Sequence, residues 1–301
     1  MAGQCPSINV PGKKPSVAFP NPFRYSGRMM GADPRLTWAV LLPLFTGLIG
    51  WGCSGRSSLF PDPSDATDVD AYEAWIQPDV APPDATPSCA APDRPPADPQ
   101  PWSVGDVDTF EVVTWNIRQF PIDASTPDKV ADLIWQMGAD LVAVQEIADV
   151  VAFWKLVCAL PGYDGVLSSD QYGTGEYQKT GLIYRVDQVT VQAVSAIFPS
   201  DNSAFPRPPL KADIEVHLPN GVAARFTLID VHLKAGIDGS DAARRQEALA
   251  RLKNFADDLQ TATPDVGVMI VGDFNDSPAD AASDNVFTPF LDDPSQYAIL
   301  T

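Results

Sequence analysis

The sequence predicts an α+β body with β-sheet at its centre and helices outside. Three observations predict it. Short apolar strands alternate with amphipathic helical stretches through the C-terminal two-thirds of the chain. One run, Leu141-Val142-Ala143-Val144-Gln145, is apolar on both faces. A third signal, Pro219-Asn220-Gly221, joins two strands as a hairpin. The chain has 301 residues, 45% of them hydrophobic, enough for a packed core. Two His and four scattered Cys exclude a zinc finger, a Cys-rich ribbon or a disulfide-built scaffold, and there is no internal repeat.

The elements follow in order. Phe110-Glu111-Val112-Val113-Thr114-Trp115 is β-branched and aromatic, a strand. Ser125-Thr126-Pro127-Asp128 supplies a capping residue, a proline for the first turn and an early acid, so a helix begins there. Val130, Leu133, Ile134 and Met137 repeat along it at helical spacing, and Gly138 ends it. Residues 141–145 form a strand covered on both faces. Residues 149–160 form a second amphipathic helix, stopped by Pro161-Gly162, with Cys158 expected as core packing. Further strands cover residues 181–185, 189–194, 211–218 and 224–233. In the third of these Asp213, Glu215 and His217 alternate with Ala212, Ile214 and Val216, which puts His217 on the solvent face. Residues 241–259 form a long helix with Ala248, Leu249, Leu252, Phe255 and Leu259 inward, and 266–271 a last apolar strand.

Charge divides the chain into a basic head, an acidic tether and an acidic globule. Residues 1–53 carry Lys13, Lys14, Arg24, Arg28 and Arg35 against Asp33. Residues 54–102 carry nine acids, two bases and 11 of the 30 Pro, and residues 103–301 hold −16 of the net −19. A generic nucleic-acid coat needs a broad basic face and is excluded. A metal-dependent enzyme is not, because a divalent cation brings its own positive charge.

In the head, residues 38–52 are apolar or small apart from Thr46. Such a run is shorter than the roughly 20 residues of a bilayer span and matches the apolar region of an export signal, read here as residues 29–53. Residues 1–28 are an extension of unclear status before it, and the expected translation start is Met29 or Met30. Leu48-Ile49-Gly50-Trp51-Gly52-Cys53-Ser54 resembles a bacterial lipoprotein signal, with Gly50 where a Leu is usual. Lipidation of Cys53 and anchoring in a bacterial cell envelope is one expectation; cleavage and free secretion is the other. Residues 54–102 alternate Pro, Asp, Ala and Ser and are expected to stay unfolded, because they cannot bury enough apolar surface to offset ordering. Cys89 lies there and, once exported, is placed to oxidise with a partner thiol.

Polar residues stand where the apolar strands end. The first strand finishes in Asn116, the second in Glu146 and the last in Gly272-Asp273-Phe274-Asn275-Asp276, while the strand over 224–233 carries His232 near its end. Ligands commonly sit at strand ends, where loops leave a crevice. A carboxylate with a neutral amide oxygen is what a hard cation takes: Mg²⁺, or Mn²⁺, with water completing the shell. Asp273 and Asn275 alternate onto one side of an extended segment, one to orient water and one to hold a phosphoryl oxygen. Singly, each has a plain structural reading, as turn cap, helix start or turn residue. The ordered set points to chemistry.

Thr114-Trp115-Asn116-Ile117-Arg118, Gln145-Glu146-Ile147, Asp230-Val231-His232-Leu233-Lys234 and Gly272-Asp273-Phe274-Asn275-Asp276 resemble, in that order, the motifs of the endonuclease/exonuclease/phosphatase superfamily. The resemblance implies a four-layered α/β/β/α sandwich, two packed mixed sheets with helices on both outer faces. It implies Asn116 and Glu146 as Mg²⁺ ligands and Asp273 as the residue that orients or deprotonates water. Asn275 would hold the scissile phosphate, and His232 would be a phosphate-contacting acid/base. Arg207 is similar to a family arginine that touches substrate phosphate, work that suits a planar two-donor fork; a plain loop arginine is the other reading. Lys234 is expected as a surface loop residue, with a further phosphate contact as the other reading. Two departures stand out. Where the deoxyribonuclease branch has a Glu to pair with the His, this chain has Tyr177-Gln178-Lys179, and Gln178 is the residue left to orient the imidazole. The family's closing Asp-His pair is absent after His232, which is read as an incomplete C-terminal end. The implied function is an exported metal-dependent phosphodiesterase, a monomer with nucleic acid as first substrate. The alternatives are a phosphatase or sphingomyelinase-like hydrolase of a phosphorylated lipid or inositol, and a non-catalytic surface module.

Overall fold

The computed structural model of the chain describes the backbone of Val40–Pro43 and residues 92–97, 100, 103–105, 109–170 and 178–300. Its elements are β1 (Val40–Pro43), β2 (Val112–Phe120), α1 (Thr126–Met137), β3 (Leu141–Ile147), α2 (Val150–Cys158), β4 (Tyr163–Leu167) and β5 (Lys179–Arg185). They continue as β6 (Val189–Ala196), β7 (Leu210–His217), β8 (Ala223–His232), α3 (Gly239–Ala262), β9 (Gly267–Asp273), α4 (Thr288–Leu291) and β10 (Tyr297–Leu300). A six-stranded sheet runs β10-β1-β9-β8-β7-β6 and a four-stranded sheet β2-β3-β5-β4. Each is mixed: β2 with β3 and β8 with β9 are parallel, beside antiparallel partners.

Three cores separate four layers. Under α1 and α2, Ile134, Phe153 and Leu156 pack on Val113, Val142, Val144 and Ile183 of the small sheet. Between the sheets, Leu141, Ala143 and Leu182 meet Ala212, Leu228, Met269 and Val271. Under α3, Ala248, Leu252 and Phe255 pack on Ile229, Val231, Val268 and Ile270. The continuous apolar run of β3 has its cause here, since its two faces serve two different cores. The arrangement is the expected α/β/β/α sandwich. Phe153 and Phe274 are fully buried in the outer cores, and cutting either to alanine stands to cost about 3–5 kcal/mol.

Local signals place the element ends. Pro127 lies in the first turn of α1, and Gly138 closes it with φ +68, its N–H donating to Ile134 O. The Asp149 side chain accepts from Ala152 N and caps α2. In the β7–β8 hairpin, Asn220 Oδ1 accepts from Val222 N. His217 is 58% exposed beside Glu215, on the solvent face as expected.

Four findings depart from the sequence reading or add to it. Leu133 points outward and Ala131 takes the buried place on α1, because the apolar stripe runs through Pro127, Val130, Ala131 and Ile134. β4, α4 and β10 were not expected; Asp164 and Gly165 weaken β4 as a strand pattern, yet a Cβ on Gly165 would stand 2.8 Å from the Val157 side chain of α2. Cys158 is disulfide-bonded rather than plain core packing, to a partner outside the described residues. The end of the expected tether lies on the body: Arg94 Nε donates to Ala159 O at 2.7 Å, Arg94 Nη1 to Asp132 at 2.7 Å and Trp135 Nε1 to Pro95 O at 3.0 Å. Of the expected export segment, Val40–Pro43 pairs between β9 and β10; Cys53 and Cys89 fall outside the described residues. Among the described residues no helix is long and apolar enough to cross a membrane.

Candidate active site

Strand alternation carries polar side chains to one end of the layer between the sheets. On β8, Phe226 and Leu228 face that layer, so Asp230 and His232 face it too; on β9 the same holds for Met269, Val271 and then Asp273. On β3 the series is Leu141, Ala143, Gln145, and on β2 it is Val112, Thr114, Asn116. Glu146 has the wrong parity and would face the helices. Its backbone takes φ +65, and the β3–β5 register shifts between Val144 and Ile147, which turns the carboxylate toward the site.

Asn116, Glu146 and Asp273, far apart in sequence, meet here. Asn116 Nδ2 donates to Glu146 Oε1 at 2.9 Å and to Asp273 Oδ2 at 2.8 Å, while its Oδ1 accepts from Arg118 N at 2.9 Å. Gln119 N donates to Glu146 Oε2 at 2.9 Å. His232 Nε2 stands 3.8 Å from both Glu146 Oε1 and Asp273 Oδ2, beyond hydrogen-bond range. Burial pushes this imidazole down to about 3; the Arg207 guanidinium adds to the effect and Glu146 opposes it. The ring is therefore neutral near pH 7.

Behind this row, Gln145 Nε2 donates to Asp230 Oδ1 at 2.7 Å and to Thr114 Oγ1 at 3.1 Å, tying the two sheets together. Gly272 has φ +133, and a Cβ there would meet Val231 O at 2.0 Å, so glycine permits β9 to bring Asp273 level with His232.

Arg207 and Asn275 gather around Leu233. Arg207 Nη1 donates to Leu233 O at 3.3 Å and Asn275 Nδ2 donates to the same oxygen at 3.0 Å. Arg207 thus lies beside Asn275, close enough for its charge to act on His232. Gln178 departs from its expected role: its Oε1 accepts from Arg207 Nε at 2.9 Å and from Arg207 Nη2, so it holds the arginine, not the imidazole. Asn275 also departs. β9 ends at Asp273, and Asn275 has φ +52 with its N–H on Asp273 Oδ1 at 2.9 Å, a tight turn in place of extended alternation. Lys234 is engaged by Asp241 at 3.0 Å, in keeping with a loop role.

Sequence reasoning missed Arg245. Its Nε donates to Asp276 Oδ2 at 2.7 Å and its Nη1 to Lys234 O at 3.0 Å and Gly236 O at 2.9 Å, binding the loop after β8 to the loop after β9. Its only signal was an arginine among the inward positions of a long helix. Asp230 had a clearer one, an acid inside an apolar strand.

Among the described residues no three His, Cys, Asp or Glu form a metal-holding group. A cation here would take two carboxylates, the Asn116 amide and water. That all-oxygen set fits a hard divalent ion. The two carboxylates also converge on one amide N–H₂ group, the arrangement of a place that favours positive charge.

Among solved structures, similar chains include humanized D. rerio TDP2, at 16% identity and TM-score 0.43, covering 56% of this chain and 68% of that one. An endonuclease/exonuclease/phosphatase family protein of Bacteroides thetaiotaomicron gives 15% and 0.46, covering 61% and 66%. A mannosyl-6-phosphatase of the same organism gives 16% and 0.46, covering 61% and 70%. The chain thus spans about two-thirds of these proteins. No curated protein matches it by sequence. The Endonuclease/Exonuclease/phosphatase family itself matches over residues 113–296, more than half of the chain and every strand that ends in the site. The chain belongs to the endonuclease/exonuclease/phosphatase family of phosphoric ester hydrolases.

Proposed function

We propose that this chain is an exported, Mg²⁺-dependent phosphodiesterase with a nucleic-acid phosphodiester as its first substrate. The observation that carries the reading is the convergence of Asn116, Glu146 and Asp273 within hydrogen-bond reach, with His232 Nε2 3.8 Å away. A disulfide at Cys158 suits an oxidising compartment outside the cytosol and supports export. Mn²⁺ fits the same oxygen donors.

Asn116, Glu146 and Asp273 would hold the cation, which when bound polarises a phosphoryl oxygen and lowers the pKa of water. Asp273 Oδ2 accepts the proton of a water attacking phosphorus in line with the departing ester oxygen. Its Oδ1, fixed by Asn275 N, keeps the carboxylate in one orientation. The neutral His232 donates from Nε2 to a phosphoryl oxygen, and the Arg207 guanidinium, aimed by Gln178, neutralises charge that builds in the transition state. Expected outcome: the purified full chain with Mg²⁺ nicks plasmid DNA, and Asp273→Ala lowers turnover by about 100-fold or more. Unchanged turnover in that variant would refute the role.

A second reading has one observation in its favour. With a net charge of −19, long duplex DNA is repelled at low salt, and a phosphorylated lipid or inositol is an easier substrate. Turnover of plasmid and of a lipid phosphodiester, measured on one preparation, separates the two.

A further inference from the structure

The site draws on both sheets. Asn116 and Glu146 stand on β2 and β3 of the smaller one, His232 and Asp273 on β8 and β9 of the larger. Its geometry therefore depends on how one sheet lies along the other. The packing between them is mainly apolar, with Leu141, Ala143 and Leu182 against Leu228, Met269 and Val271. Apolar contact has no direction, so it sets the spacing of two sheets more firmly than their sliding register. A buried hydrogen bond is directional and fixes a register, as a single polar residue does in the seam of a coiled coil.

Such a bond lies just beneath the site. Gln145, 1% exposed on β3, donates from Nε2 to Oδ1 of Asp230 on β8 at 2.7 Å, and Asp230 is 0% exposed. The same Nε2 reaches Thr114 Oγ1 at 3.1 Å and Ala143 O at 3.3 Å, so the amide is also held from its own sheet. The Gly181 N–H of β5, again in the smaller sheet, donates to the Asp230 carboxyl as well. Both partners adjoin the site: Gln145 pairs with Asn116 and precedes Glu146, while Asp230 pairs with Val271, two residues before Asp273. Asp230 Oδ1 accepts the bond from Gln145 whether the carboxyl is charged or neutral.

We propose that Gln145 and Asp230 peg the register of the two sheets and so bring Asn116 and Glu146 to Asp273. Both are positioning residues. A slip of one residue moves a strand by about 3.3 Å, enough to part Asn116 Nδ2 from Asp273 Oδ2, which lie 2.8 Å apart. The peg stands without the hydrolase reading; only its effect on turnover rests on that reading.

The test separates register from stability in the full chain. Register is read without metal, from solvent exchange of the Asn116 side-chain amide in ¹⁵N-asparagine-labelled protein, because that amide donates across the sheets to Asp273. The parental amide exchanges slowly, and Asp230→Asn, which keeps an acceptor for Gln145, stays within about threefold of it. Gln145→Met leaves a buried carboxyl without its side-chain donor, so the urea midpoint falls and the amide exchanges at least about tenfold faster. Gln145→Met/Asp230→Leu replaces both partners by apolar groups of the same branching, so the midpoint recovers while the fast exchange remains. Mn²⁺ affinity of the double variant falls about 10- to 100-fold, the range that outer-shell partners of metal ligands supply. A folded double variant with parental Asn116 exchange and Mn²⁺ affinity overturns the proposal. So does a parental Asn116 amide that exchanges as fast as an exposed one, or an Asp230→Asn variant as fast as the double. Should the double variant fail to fold, Asn116 exchange in Gln145→Met and Asp230→Asn decides. A chain with the expected exchange pattern that turns over no phosphodiester would refute the hydrolase reading and leave the peg standing.

Discussion

Gly272→Ala tests how closely β8 and β9 must approach for the site to exist. Gly272 lies opposite Val231 and has φ +133. A Cβ there would stand 2.0 Å from Val231 O, 2.7 Å from its N and 2.8 Å from its C. All three are main-chain atoms, so no side-chain rotation relieves the contact and the strands must part. Holding alanine at such a φ costs about 1–3 kcal/mol. Forcing extra volume into a packed place adds about 1–3 kcal/mol. The total of about 2–6 kcal/mol is a large share of the roughly 5–15 kcal/mol that keeps a domain folded. The next pair in register is His232 with Asp273, so the displacement falls on the site. A shift of about 1 Å there is worth about 100-fold in rate. Urea unfolding followed by tryptophan fluorescence reads the first effect, and phosphodiester turnover at a temperature where the variant stays folded reads the second. Gly221→Ala is the control, with φ +85 and nothing within 4 Å, so it carries conformational cost without collision. If Gly272→Ala were no less stable than Gly221→Ala and equally active, the close approach of these strands would not be what places Asp273.

Three further outcomes are expected. Arg245→Gln leaves Asp276 buried without its charge partner and should cost about 3–5 kcal/mol by urea unfolding; a change under about 1 kcal/mol would refute the clamp between the two loops. Burial pushes the Asp140 carboxyl up from 3.8 to about 7; the nearby Glu111 carboxylate adds to the rise, while the Glu111 N–H and Arg185 oppose it. The folded state therefore favours the protonated acid: the contribution of Asp140 to stability is full below about pH 4 and is lost as pH rises toward 7, and Asp140→Asn should flatten that part of the urea-midpoint profile. Non-reducing peptide mapping should recover Cys158 in a disulfide, and a free Cys158 thiol would count against it.

What was legible in the sequence depended on how many layers an element serves. β3 lies between two cores, so its apolar run had no gap, and α3 covers a whole sheet face, so its inward stripe was long. β4 packs against α2 through Gly165, where absence of a side chain is the structural requirement and hydropathy is silent. β10 and α4 are four residues each, too short for any period to show. Leu133 kept helical spacing and still faces outward, because four apolar positions share the turn and Ala131 fits the narrower place against the sheet.

The site was legible where alternation alone aims the side chain, and illegible where the main chain must turn. Asn116, His232 and Asp273 have the parity of the inter-sheet layer, so a strand reading places them together. Glu146 and Asn275 have positive φ, as do Arg118 and Gln119 beside them. Such conformations cost non-glycine residues stability, and each is held by a hydrogen bond to the site: Gln119 N to Glu146, Arg118 N to Asn116, Asn275 N to Asp273. Regular strands deliver every second residue to one face. A centre that also needs the residue between them obtains it only by breaking the ladder. Broken alternation at the ends of β2, β3 and β9 is thus the cost of bringing these groups to one point, and the same breaks explain why Asn275 was expected in an extended segment and lies in a turn.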